Sequence, residues 1–162
     1  MKVLWAPWRM EYILADKGQE CFLCDLAGAL PSEDNLLLYR DDLAMVVMNR
    51  YPYNNGHILV APVAHTADLN ELTQAEYSRT MELFRFSLKA LERHMEPEGV
   101  NAGLNLGKTG GAGLEEHVHF HIVPRWHGDT NFMPVIANTR VIPEAIRETY
   151  RGLQPFFEKY GE

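Results

Sequence analysis

From Thr73 to Pro97 the sequence specifies one long helix, and this constrains the fold more than any other feature. Thr73-Gln74-Ala75-Glu76 is a capping box, in which hydroxyl and carboxylate satisfy free backbone N–H groups reciprocally. Tyr77, Met81, Phe84, Leu88, Leu91 and Met95 then recur at helical spacing and form one apolar face. Pro97 and Gly99 end it. That face needs a surface to cover, and the flanking sequence offers strands at 35–40, 44–49, 57–62, 100–106 and 118–124. Arg40-Asp41-Asp42 reads as a tight turn between the first two. Tyr51-Pro52-Tyr53-Asn54-Asn55-Gly56 is turn chemistry between the second and third. A second helix is expected over 143–160, with Pro143 near its first turn. Strands before and after one helix predict an α+β fold, an antiparallel sheet with the helix packed on one face.

No repeat, low-complexity segment or linker interrupts the 162 residues, so one domain spanning 1–162 is expected. The hydrophobic fraction of 46% is that of a soluble globular chain. A net charge of −7 disfavours binding to a nucleic-acid backbone, though a local cluster of donors can still hold a small anion. No apolar run is long enough to cross a bilayer, and Met1 to Arg9 lacks the apolar core of a signal peptide. A cytoplasmic protein with no membrane partner is the expectation. The two cysteines, Cys21 and Cys24, sit two residues apart, a spacing of metal or redox chemistry rather than of a disulfide framework.

His117-Val118-His119-Phe120-His121 carries the chemistry. On a strand, alternate residues share a face, so the three histidines would line one surface while Val118, Phe120 and Ile122 enter the core. Imidazole titrates near neutrality and offers a nucleophilic nitrogen suited to attack on phosphorus. If its other nitrogen donates to a carbonyl, the tautomer is fixed and the attacking nitrogen is aimed. Just before the histidines, Gly107-Lys108-Thr109-Gly110-Gly111-Ala112-Gly113 would let backbone N–H groups approach phosphate oxygens. It has the spacing of neither a P-loop nor a dinucleotide fingerprint.

These residues resemble the histidine triad family of nucleotide hydrolases and transferases. The resemblance rests on His117 to Val123, Asn105 with the glycine loop, and Asn49 through Gly56-His57, and it runs from about 21 to 125. The extensions, Trp5 to Ile13 and Pro124 to Phe132, resemble a bacterial and archaeal branch linked to diadenosine tetraphosphate and similar dinucleoside polyphosphates. The resemblance implies a five-stranded antiparallel sheet with helices, assembled as a homodimer. It makes His119 the nucleophile, gives His121 to the α-phosphate and lets His57 support the site from the neighbouring strand. Asn49 would bind ribose, and Asn105 with Lys108, Gly110, Gly111 and Gly113 would lie along the phosphates. Hydrolase branches carry a Gln-Ser or Gln-Thr pair where this chain has Gly113 and Leu114, neither of which donates from a side chain. The loop is closer to phosphorylase-like members, in which phosphate rather than water releases the nucleotide.

Several branches of the family complete the Cys-x-x-Cys pair with two histidines, here Cys21, Cys24, His65 and His117. That implies a structural zinc ion, no organic cofactor, and a His117 withdrawn from catalysis. Alone, the cysteine pair also fits two buried or redox-active thiols. The competing function is a nucleotide-binding, zinc-stabilised scaffold without turnover. Trp5 and Trp8 are read as packing anchors and His94 as a surface residue near the helix end.

Overall fold

The computed structural model describes residues 21–129 and 146–161. The first family-like extension, with Trp5 and Trp8, residues 130–132 of the second, and Pro143 lie outside the described residues.

Five strands form a single antiparallel sheet: β1 (Leu37–Arg40), β2 (Ala44–Met48), β3 (Ile58–Pro62), β4 (Gly99–Leu104) and β5 (Phe120–Arg125). Their spatial order is β1-β2-β3-β5-β4. Among the described residues three α-helices accompany it: α1 (Phe22–Ala27), α2 (Gln74–Met95) and α3 (Ile146–Glu158). The expected α+β class and the five-stranded sheet are both present. Sequence reasoning did not anticipate α1. No helix among the described residues is long and apolar enough to cross a membrane.

Local chemistry explains the hairpins and caps. The Asp41 carboxylate accepts the N–H groups of Leu43 and Ala44 at 2.9 and 3.0 Å, closing the β1–β2 turn. The capping box forms as read: Thr73 N–H donates to Glu76 at 2.7 Å and the Thr73 hydroxyl accepts Glu76 N–H at 3.3 Å. The helix ends at Glu96, held in the left-handed region at φ 46°.

The face that α2 buries differs from the apolar stripe. Its innermost residues are Thr80, Leu83, Ser87, Ala90 and Leu91. Of the six expected stripe residues only Leu91 is fully buried; Met81, Phe84, Leu88 and Met95 flank the contact and Tyr77 is exposed. Small side chains let the helix axis approach the sheet closely, and the larger apolar residues then wrap the sides. The Thr80 hydroxyl is accommodated by donating to the Glu76 carbonyl at 2.8 Å.

Register fixes the two faces of the sheet. Ile58 pairs with Ile122, Leu59 with His121 and Val60 with Phe120. Ile58, Val60, Phe120 and Ile122 therefore face α2, where Phe84 meets Phe120 edge to face at 5.8 Å between ring centres. His57, Leu59 and His121 point to the opposite face. α3 packs beside α2 through Phe157 against Phe86, and Tyr160, in the 3-10 turn that follows α3, meets the same ring.

β5 begins two residues later than expected. Val118 N–H leaves the ladder and donates to the Thr66 carbonyl at 2.7 Å. His117 and His119 therefore precede the regular strand, and of the three histidines His121 alone lies within it. Val118, Phe120 and Ile122 are buried, as the alternation required.

Candidate functional site

His57 and His121 form a directly bonded pair, with His57 Nε2 2.9 Å from His121 Nδ1. The proton positions follow from donors that have no choice. Tyr53 N–H can only donate, and it reaches His57 Nδ1 at 3.0 Å. Asn49 accepts Tyr51 N–H on its Oδ1 at 2.9 Å, which turns its Nδ2 donor toward the same nitrogen at 3.3 Å. His57 Nδ1 thus carries a lone pair, and a neutral His57 bears its proton on Nε2. That proton is given to His121 Nδ1, so a neutral His121 keeps its own proton on Nε2. Asn105 Nδ2 lies 3.5 Å from this Nε2, and a half-turn of the amide presents Oδ1 to accept its proton. His57 is wholly buried and His121 half-buried. Tyr53 lays its ring over both, 4.6 Å from His57 and stacked 5.7 Å from His121.

His119 is wired in the opposite sense. Its Nδ1 lies 2.8 Å from the His117 carbonyl, an obligate acceptor, so Nδ1 holds the proton and Nε2 the lone pair. The residue is 6% exposed, and burial holds its pKa below the ordinary imidazole value despite the opposing hydrogen bond. Its ring centre is 4.9 Å from that of His121. A lone pair and an N–H donor are thereby presented side by side.

The glycine loop joins Asn105 to His117. Gly107 and Gly111 hold φ of +65° and +86°, which other residues adopt only with strain. A Cβ on Gly110 would stand 2.2 Å from the Leu106 carbonyl oxygen. Gly111 N–H donates to the Lys108 carbonyl and Ala112 N–H to that of Gly107, so two of the loop's donors serve the loop itself. Lys108 and Gly110 are exposed; Gly111 and Gly113 are half-buried.

The four residues expected to bind metal converge. Their ligating atoms all lie within 4.8 Å of one another. Cys21 Sγ is 3.3 Å from His117 Nδ1, Cys24 Sγ 3.6 Å from the same nitrogen, and Cys24 Sγ 3.1 Å from His65 Nδ1. Tetrahedral zinc bonds of about 2.3 Å to sulfur and 2.0 Å to nitrogen space S and N by about 3.5 Å. The cluster therefore fits that ion. His117 Nε2 lies 2.9 Å from the Pro62 carbonyl, which fixes the proton there and leaves Nδ1 as the ligand nitrogen. Partial burial and the second thiol beside it push the Cys24 thiol up to about 11. Two thiols crowded in this way resist ionising together without a cation.

The triad accordingly divides. His117 is wholly buried and faces the cysteines, whereas His119 meets His121, which in turn bonds His57. Sequence reasoning missed Tyr53, which read only as part of a turn. It also missed Asn54 and Asp129, which bond each other at 2.8 Å across 75 residues. The turn residues before His57 were a local signal for the first two; Asp129 had none.

A model of the HIT domain matches residues 31–128. The chain is 36% identical over 158 residues to AP-4-A phosphorylase of Mycobacterium tuberculosis, covering 93% of this chain and 81% of that protein. It is 28% identical over 89 residues to a bis(5'-adenosyl)-triphosphatase of Dictyostelium discoideum, covering 55% and 59%. Among solved structures, a Zn-bound histidine triad family protein from Mycobacterium smegmatis superposes with a TM-score of 0.67 at 24% identity, over 88% of this chain and 96% of that one. Plasmodium falciparum diadenosine triphosphate hydrolase superposes with a TM-score of 0.62 at 18% identity, over 82% of each chain. Both structural likenesses are likenesses of fold.

Proposed function

The chain belongs to the HIT domain family and is an enzyme of that family, and from this premise we propose that it cleaves dinucleoside polyphosphates such as diadenosine tetraphosphate through a nucleotidyl-His119 intermediate. The observation that carries this reading is the His119 ring, whose Nδ1–H on the His117 carbonyl at 2.8 Å leaves the lone pair on Nε2. Nε2 attacks the α-phosphorus, a P–N bond forms, and the P–O bond to the remaining polyphosphate breaks. The positive charge that develops on the ring is spread toward the His117 carbonyl. His121 donates its Nε2–H to an α-phosphate oxygen, with His57 holding it in that tautomer. Asn49 serves the ribose. Asn105, Lys108, Gly110, Gly111 and Gly113 line the polyphosphate.

In the second half-reaction an oxygen of inorganic phosphate attacks the same phosphorus, an O–P bond forms, and the P–N bond breaks with its electron pair returning to His119 Nε2. Diadenosine tetraphosphate plus phosphate thus becomes ATP plus ADP. Phosphate is favoured over water by Gly113 and Leu114, which offer no side-chain donor for a leaving group or water, and by the relative named as a phosphorylase.

Cys21, Cys24, His65 and His117 would hold zinc, which supplies the charge that stabilises two thiolates and ties the start of α1 to the approach of β5. A homodimer is supported by β4, an edge strand of the sheet exposed along nearly its whole length.

The test is an incubation with diadenosine tetraphosphate, with and without inorganic phosphate. ADP plus ATP formed only when phosphate is present supports phosphorolysis. AMP plus ATP formed in water alone makes the protein a hydrolase, and an untouched substrate contradicts the substrate class.

A further inference from the structure

The tautomer of the His57–His121 pair depends on Tyr53 N–H, and that donor sits in the turn between β2 and β3. The turn is fastened to the histidine-bearing strand by Asn54. Its Nδ2 donates to the Pro124 carbonyl of β5 at 3.0 Å and to Asp129 Oδ2 at 2.8 Å. Its Oδ1 accepts Asn55 N–H at 3.0 Å, and its carbonyl accepts His57 N–H at 3.3 Å. Every polar function of Asn54 beyond its own N–H is thus engaged, and its rotamer is over-determined.

Asp129 is the far anchor. Its side chain is 9% exposed and takes a two-pronged contact from Arg125, Nε at 2.5 Å and the second guanidinium nitrogen at 2.8 Å, with Trp126 N–H at 3.2 Å. Arg125 is steadied in turn by Asn101 of β4 at 2.8 Å. The Arg125 contact holds the Asp129 carboxyl down to about 2, so it remains an anion under all working conditions.

We propose that Asp129 and Asn54 are positioning residues, which act through the Tyr53 N–H to hold His57 and His121 in the tautomers that aim a proton at substrate phosphate. Neither touches the reacting atoms. Remove the staple and the turn drifts, Tyr53 N–H leaves His57 Nδ1, and the longer Asn49 contact of 3.3 Å, left alone, no longer holds the proton off that nitrogen. His57 Nε2 then offers a lone pair to His121. His121 reverses, and a lone pair rather than an N–H faces the phosphate oxygens. A displacement well below 1 Å is enough, because hydrogen bonds weaken steeply with distance and angle.

The inference rests on the function proposed above for its catalytic consequence, but not for the tautomers themselves. The experiment is imidazole nitrogen NMR on histidine-labelled protein, wild type against Asn54→Ala and Asp129→Asn. Circular dichroism and thermal melting confirm that each variant is folded. In wild type, Nδ1 of His57 and of His121 should resonate as unprotonated nitrogens; in the variants both should move toward protonated values. On diadenosine tetraphosphate, kcat should fall about tenfold or more, with a smaller change in KM. Unchanged tautomers in both folded variants would overturn the proposal, as would a wild type with protonated Nδ1 on His57. If wild type leaves the substrate untouched while the variants still shift the tautomers, the functional reading fails and the positioning role stands.

Discussion

Two imidazoles whose rings lie 4.9 Å apart are held in opposite tautomers by backbone groups that cannot exchange roles. The His117 carbonyl fixes the His119 proton on Nδ1, and Tyr53 N–H, relayed through His57, fixes the His121 proton on Nε2. The sequence motif could promise imidazoles at the right spacing, yet not which nitrogen of each would face the ligand. His119→Asn should therefore lower turnover of diadenosine tetraphosphate by at least about a thousandfold. Circular dichroism should show no change of fold, and retained activity would remove His119 from the nucleophile's role. Asp129 gives a pH prediction. Its pKa is depressed in the folded chain, so its contribution to stability is complete above the unfolded value and fades as pH falls toward about 2. The gap in urea midpoint between wild type and Asp129→Asn should be level from pH 7 down to about 4 and narrow below that. A gap that closes nearer neutrality would place the carboxyl outside the Arg125 clamp.

The elements divide according to how local their causes are. The capping box of α2 and the Asp41 turn form as read because their partners lie within a few residues. The buried face of α2 did not follow the apolar stripe, because close approach to a sheet favours Thr80, Ser87 and Ala90 along the contact line, a requirement that comes from tertiary packing. Among the described residues, the buried Ser87 hydroxyl has no hydrogen-bond partner. Ser87→Ala should thus be neutral or stabilise by up to about 1 kcal/mol, and Ser87→Leu should cost about 1–3 kcal/mol by overpacking. Thermal melts of both variants test the assignment, and a well-tolerated leucine would contradict it. α1 depends on chemistry rather than propensity: six residues are too few for an independent helix, and its N-cap Cys21 makes no side-chain cap bond. Stripping metal with a chelator, or substituting Cys21→Ser, should lower the melting temperature and speed amide exchange in α1 and at 117–119 before the rest of the sheet. Exchange that is unaffected in α1 would show that nothing at the cysteines secures it.

At the scale of the whole molecule, a chain of net charge −7 is read as an enzyme for polyanionic substrates. The site reconciles the two, because backbone and imidazole donors act at short range while the overall field discourages long nucleic acids. The motif residues of this site were visible in the sequence: Asn49, His57, Asn105, His119 and His121 converge on one sheet face, and Cys21, Cys24, His65 and His117 gather beside it. The staple of Asn54 and Asp129 was not visible, since its partners are 75 residues apart and carry no periodicity. The exposed edge of β4 predicts a homodimer, to be seen as twice the chain mass in sedimentation at micromolar concentration; a monomer there would contradict it. The central claim is the covalent step. Acid-labile phosphoramidates survive alkaline quenching, so the enzyme should be quenched with alkali during turnover of diadenosine tetraphosphate, then digested and examined by peptide mass spectrometry. One AMP unit on the peptide containing His119, absent from His119→Asn, is the predicted result. Continued turnover with no modified peptide, or AMP on another residue, would contradict the account.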